Sequence, residues 1–126
     1  MIQTVNFKPS TDPKMLCTCK HPDCDQRSVK QTHLNRIQKA REIIRLPMVI
    51  TSGGRCPNHP SETHRTTPAD HQKGMAVDVA CNGQSRGNYV AAAIAAGCNS
   101  IGVAKTFVHF GYRPELPEGH ITMWTY

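Results

Sequence analysis

ADHQKGMAVDVAC, residues 69–81, changes character at its glycine. Before Gly74 the residues are mostly polar. After it they alternate, with Met75, Val77 and Val79 on one side and Ala76 and Asp78 on the other. That period of two predicts a strand over 74–80 that hides three apolar side chains and presents Asp78 on its opposite face. Small Ala76 leaves room beside the carboxylate. His71 lies just upstream. Gly74 lets the chain turn between the loop that carries His71 and the strand that carries Asp78. An imidazole and a carboxylate can then meet at one place.

Upstream, Leu34, Ile37 and Ile44 recur at helical spacing within 31–45, with Ile43 beside the last. Thr32 or Ser28 is the expected cap and Pro47 the stop. PMVIT (47–51) reads as a short strand that SGG breaks. Residues 54–70 hold three prolines and no periodicity, the mark of a functional or mobile loop. Downstream, NYVAAAIAAG (88–97) reads as an Ala-rich helix, with Asn88 as N-cap and Gly97 as stop. SIGVA (100–104) and FVHFGYR (107–113) read as two strands joined by a turn around Lys105. In the second, Phe107, His109 and Gly111 share a face. HITMWTY (120–126) is a further strand candidate. The order predicts an α+β fold, a small mainly antiparallel sheet with two or three helices. Residues 1–30 are polar, punctuated by Pro and Cys, and expected to be irregular; residues 1–126 suggest one domain.

The formal charge is +6 and the pI is near 9.2. A basic surface attracts polyanions, whether nucleic acid, anionic cell-wall polymer or membrane headgroups. Lys and Arg are scattered rather than gathered in a tract, which a solvated surface explains equally. No run approaches the ~18 apolar residues of a membrane helix, so no membrane insertion is expected. The start lacks an apolar h-region, so no secretory signal is read. Seven His and six Cys favour metal binding before any motif is considered.

His71, Asp78 and His109 fit a catalytic zinc site. Zinc accepts imidazole nitrogen and carboxylate oxygen, and two His with one carboxylate leave a fourth position open. A water there has its pKa lowered to about 7. Spacing alone does not separate this from a surface histidine and a strand aspartate.

Four segments, in order over residues 34–126, resemble one family. HQKGMAVDV resembles the His-x-x-Gly-x-Ala-x-Asp signature of the zinc D-Ala-D-Ala carboxypeptidases. That family includes the L-alanyl-D-glutamate endopeptidases of phage endolysins and shares its fold with the hedgehog signalling domain. ITSGGRCPNH (50–59) resembles the family's upstream Ser-Gly-x-Arg segment, FVHF (107–110) its downstream ligand strand, and MWTY (123–126) its Trp-containing ending. The resemblance implies a hedgehog/DD-peptidase-like fold, Zn²⁺ as cofactor, and His71, Asp78 and His109 as its ligands. It places Arg55 near the metal, where the guanidinium could bind a peptide carboxylate or stabilise the oxyanion of a tetrahedral intermediate. Ser52 is expected to hold the loop through local hydrogen bonds. Trp124, the sole Trp, is expected in the core, with lining the site as the alternative. The implied activity is hydrolysis of D-Ala-D-Ala or L-Ala-D-Glu bonds in bacterial peptidoglycan stem peptides. The implied setting is a monomer made in the cytoplasm, phage-encoded or virion-associated, that acts on the cell wall.

The resemblance breaks at the general base. The family commonly carries a carboxylate three residues before the third ligand or two after it; those positions are Thr106 and Gly111 here. The frequent Ser two before the first ligand is Ala69. Asp70, Glu115, Glu118 and His120 remain as candidates for the base, none placed by a motif. A catalytically silent zinc-binding structural or wall-binding module is therefore the second reading. A nucleic-acid-binding zinc protein leaves HxxGxAxD and SGGR unexplained and lacks an aromatic-basic stacking pattern.

CTCKHPDC supplies Cys17, Cys19 and Cys24, and Cys56 follows SGGR. Four thiolates would close a second, structural tetrahedral site and pin the N-terminal segment to the active-site loop. Reduced thiols, or disulfides formed after release, are the other readings. Cys81 and Cys98 are expected to pack as small apolar residues.

Overall fold

A computed structural model describes residues 1–126. Two α-helices lie on one face of a five-stranded sheet. Helix α1 (Gln31–Ile44) buries His33, Leu34, Ile37 and Ala40; Leu34 and Ile37 belong to the stripe that the spacing predicts, whereas Ile44 is only partly buried and Ile43 is exposed. Neither Thr32 nor Ser28 caps it. The cap position is Lys30, which offers no side-chain bond. The backbone there is fixed from outside instead, with the Lys30 N–H donating to the Gly74 carbonyl at 2.9 Å. Helix α1 ends one residue early, where Arg45 turns left-handed at φ 56°.

Helix α2 (Arg86–Ala95) begins before Asn88, which lies inside it. The preceding turn is gathered by Asn82, whose Oδ1 accepts from the Gln84 and Ser85 N–H groups at 3.0 and 3.1 Å. An asparagine does organise this entry, but one that lies outside the Ala-rich pattern. Gly97, at φ +100°, ends the helix as predicted.

The strands are β1 (Ile50–Ser52), β2 (Ala76–Ala80), β3 (Ser100–Val103), β4 (Phe107–Gly111) and β5 (Thr122–Thr125). They lie in the order β1-β2-β4-β3-β5. Every pair is antiparallel except β3–β5. Strand β1 starts later than PMVIT suggests; Pro47 instead accepts the Tyr89 hydroxyl at 2.7 Å. Val77, Val79, Ile101, Val108 and Phe110 join Leu34 and Ile37 in the core.

The register does more than close the core. Ser52 pairs with Asp78, Asp78 with His109, His109 with Gly102, and Gly102 with Trp124. One row thus runs across all five strands, and cross-strand neighbours on a face lie about 5 Å apart. Asp78 and His109 meet because their strands are paired in this register. A Cβ on Gly102 would lie 2.8 Å from the Trp124 indole nitrogen, so glycine leaves space for that ring.

The first 30 residues hold a single 3-10 turn, Pro13–Met15, and an isolated bridge between Leu16 and Ser28. They pack on the SGGR loop. The Gly54 N–H donates to the Met15 carbonyl at 3.0 Å. A Cβ on Gly54 would stand 2.2 Å from the Arg27 carbonyl oxygen. Only glycine allows this approach.

His33 is fully buried and ties α1 to β4. Its Nε2 lies 2.9 Å from the Phe110 carbonyl and so carries the proton; Nδ1 then faces Arg36 Nη1 at 3.4 Å as acceptor. Burial, with the charge of Arg36, pushes the His33 pKa down to about 4 despite the bond to Phe110. The unfolded chain, with an ordinary histidine near 6.5, then binds the proton first as pH falls, so folding loses stability through that window. Relative to His33→Gln, the wild-type protein should lose about 2 kcal/mol between pH 7 and pH 5. Urea unfolding of both proteins at the two pH values checks this. A gap independent of pH would contradict a neutral, buried His33.

Candidate metal centre

His71 arrives from the loop before β2. The turn behind it closes at Gly74, whose φ of +70° is the left-handed conformation expected of that glycine. Two backbone contacts fix the imidazole. The Arg55 N–H donates to the His71 carbonyl at 3.1 Å, and His71 Nδ1 lies 2.7 Å from the Gly53 carbonyl. That carbonyl can only accept, so Nδ1 carries the proton and the lone pair of Nε2 is left facing Asp78.

His109, on β4, is arranged the other way round. Its Nε2 lies 3.0 Å from Asp70 Oδ2, which leaves Nδ1 facing Asp78. Asp78 Oδ1 sits between the two rings, 3.3 Å from His71 Nε2 and 3.3 Å from His109 Nδ1. It is buried and has no hydrogen-bond partner. Burial alone would raise the Asp78 carboxyl, but with no metal present protonated imidazoles on either side would outweigh it and hold the group well below the usual carboxylate range. Burial would likewise lower His109, but Asp70 and Asp78 raise it.

An orphaned carboxylate oxygen and two imidazole nitrogens, all within 4.8 Å of one another, suit a shared cation. Nothing else nearby offers to satisfy Oδ1, and a buried unpaired acceptor is costly. The donor set of two nitrogens and one oxygen fits zinc, and each imidazole has an acceptor on its other nitrogen, as metal-binding histidines require.

Arg55 holds the second oxygen of Asp78, with Nη2 at 3.3 Å from Oδ2. Its Nε donates to Ser52 Oγ at 3.1 Å, so Ser52 orients this arginine. Its Nη1 pairs with Glu62 Oε2 at 3.3 Å. Glu62 is a site residue that the sequence did not reveal. It is buried, and its Oε1 also accepts from Gln72 Nε2 and pairs with Arg65 Nε, both at 3.2 Å. It stands in the loop without periodicity, where no pattern marks one acid above another.

Asp70 is the base candidate that reaches the centre. Besides His109, its Oδ2 accepts from Ser100 Oγ at 2.8 Å and its Oδ1 from Arg113 Nε at 2.9 Å. Burial would raise this carboxyl, but His109, Arg113 and Ser100 hold it well below the usual range. Gly111 explains its placement. A Cβ there would lie 2.2 Å from Ser100 Oγ, 2.7 Å from His109 Nε2 and 2.9 Å from Asp70 Oδ2. The space that a side chain at 111 would enter is filled by Asp70 and Ser100. A carboxylate reaches the same nitrogen of His109, but from the loop.

The late-loop candidates are not brought to the centre. Glu118 and His120 line a separate depression with Ile94 and Leu116, and exposed Glu115 is not among the residues lining the cleft. Trp124 is not in the core. It is half-buried, and its ring centroid lies 5.0 Å from that of His109. The cleft over the three ligands has a volume of about 460 Å³; Arg55, Arg65, Arg113, Phe107, Trp124 and Tyr126 are among its lining residues.

A family model described as Peptidase M15 matches residues 7–111. The chain belongs to the peptidase M15 family. No curated protein and no solved structure matches it. M15 members are zinc peptidases, and the buried His71, Asp78 and His109 fit that metal. The family match begins upstream of the N-terminal cysteines, which the resemblance over 34–126 left out.

His71→Ala and Asp78→Ala should each remove zinc from this centre. Asp70→Asn should weaken zinc binding by about 10–100-fold, since it loosens the partner of a ligand. Chelator competition measures all three. Unchanged affinity in Asp70→Asn would show that Asp70 does not support His109.

Proposed function

We propose that this M15 chain is a zinc peptidase that hydrolyses peptide bonds in the stem peptides of bacterial peptidoglycan, of D-Ala-D-Ala or L-Ala-D-Glu type. The observation that carries the reading is the unpartnered Asp78 Oδ1 between His71 Nε2 and His109 Nδ1, at a cleft lined by Arg55, Arg65 and Arg113. When bound, zinc supplies a Lewis acid that polarises a carbonyl and activates water.

The chain's own residues do the rest. Arg65 and Arg113, each anchored on a buried acid yet partly exposed at the cleft, suit a substrate with free carboxylates, as stem peptides have. Arg55 is fixed by Ser52 and Glu62, so it is pre-oriented toward a carboxylate or a developing oxyanion. Trp124 and Tyr126 give the cleft an apolar wall against which peptide methyl groups can pack. The +6 charge favours approach to an anionic wall. Action on the cell wall by a phage-encoded or virion-associated enzyme fits this chemistry.

Proton transfer is the weak link. Asp70 lines the cleft beside His109, yet the neighbours that hold it below the usual range also make it a feeble base. Glu62 has both oxygens engaged. Slow turnover is therefore expected. These engaged acids, with Thr106 and Gly111 at the family's carboxylate positions, favour the second reading, a zinc-binding wall module without turnover.

Digestion of purified peptidoglycan with zinc-loaded protein, beside an EDTA-treated control, separates the two. Metal-dependent fragments in the mass spectrum support the peptidase, and their masses name the bond. No fragments from protein with confirmed zinc would establish the silent module. If fragments appear, Arg55→Lys should lower kcat/KM by about 10–100-fold, the loss of a charge-assisted hydrogen bond worth about 1.5–3 kcal/mol.

A further inference from the structure

The N-terminal cysteines gather far from their sequence neighbours. Cys17, Cys19 and Cys24 converge on Cys56, with all four sulfurs within 4.8 Å of one another. All four are free thiols. Cys19 Sγ and Cys56 Sγ are 3.5 Å apart, too far for a bond of about 2.05 Å. The edge of a tetrahedron of sulfurs around zinc, with bonds of about 2.3 Å, is about 3.8 Å.

The backbone around them is shaped for charged sulfur. Gln26 donates its N–H to Cys24 Sγ at 3.4 Å. Looser backbone N–H approaches run from Cys19 and Cys56 toward Cys17, from His21 toward Cys19, and from Asn58 toward Cys56. Each sulfur thus has the N–H of the residue two further on directed toward it, with that of Gln26 at hydrogen-bond distance. To aim these groups, Lys20 and Gln26 take left-handed φ values of 61° and 52°, which side-chain-bearing residues rarely adopt. Four thiolates around a dication carry a net charge of minus two, which oriented N–H dipoles offset. Arg27, whose carbonyl accepts the Cys17 N–H at 3.0 Å, brings a guanidinium close to the cluster, paired there with Asp25.

We propose that Cys17, Cys19, Cys24 and Cys56 bind a second, structural zinc ion. Its ligands come from segments far apart in the chain, and it ties the N-terminal segment to the SGGR loop. Cys56 adjoins Arg55, and the same loop presents the Gly53 carbonyl to His71. The clasp thus fixes the strip of backbone that orients one imidazole and one guanidinium of the first centre. It stands whether or not that centre is catalytic.

The test is metal content and cobalt spectroscopy of the full chain, reduced, demetallated and reloaded with Zn²⁺ or Co²⁺ alone. Wild-type protein should hold two zinc ions. His71→Ala should hold one, and its cobalt form should show the intense near-ultraviolet sulfur-to-metal charge-transfer band of tetrathiolate coordination. Cys24→Ser should hold one and lose that band. Should Cys24→Ser fail to fold, the wild-type and His71→Ala spectra still decide. One zinc in the wild type and none in His71→Ala would overturn the proposal, as would a cobalt form without the sulfur band.

Discussion

The pairing of β2 with β4 is the constraint on which the centre depends. Asp78 stands opposite His109, and side chains on a strand alternate between faces. A slip of one residue would turn Asp78 toward the helices and bring Val77 or Val79 to the cleft. The apolar set of Val77, Val79, Val108 and Phe110 opposes such a slip, since all four are fully buried on the helix side. The core therefore fixes the geometry of the two strand ligands. The third, His71, needs a separate device, and the chain supplies it through the Gly53 carbonyl and the Arg55 N–H.

Beside His109, a loop carboxylate occupies the space that a side chain at position 111 would enter. No acid stands at position 111, yet Asp70 brings a carboxylate to the nitrogen of His109 that such an acid would reach. Ser100, on the neighbouring strand, holds that carboxylate. Gly111 is then required, because any side chain would collide with the pair. The arrangement supports His109 but leaves the carboxylate bound on several sides, which weakens it as a proton acceptor. Ligand support and acid–base chemistry are thus different demands on one group, and the structure favours the first.

Much of the fold was legible because it rests on periodicity. The alternation of GMAVDVA marks β2, which begins at Ala76 and leaves Met75 outside it and half-buried; the spacing of Leu34 and Ile37 marks α1, and Gly97 the end of α2. The capping residues were not legible. Lys30 and Asn82 act through contacts with Gly74 and with the following turn, which no local pattern announces. The candidate ligands His71, Asp78 and His109 are nameable from motif order, and the structure brings them together. Glu62 and the arrangement around Asp70 were hidden, because both depend on a loop folding back over the sheet. The late-loop acids failed as candidates for the same reason: proximity in sequence to the last strands says nothing of which side of the sheet they reach. Trp124 was misplaced because a lone tryptophan is usually core, whereas Gly102 beneath it opens a place at the cleft.

The central claim is that His71 Nε2, Asp78 Oδ1 and His109 Nδ1 share one metal ion. Anomalous diffraction at the zinc absorption edge, from crystals of the zinc-loaded protein, tests it most directly. A peak among these three atoms, at bonding distance of about 2.0–2.2 Å from each, is the expected result. Fully loaded crystals with no anomalous density there, and Asp78 Oδ1 instead hydrogen-bonded to a protonated imidazole, would contradict it.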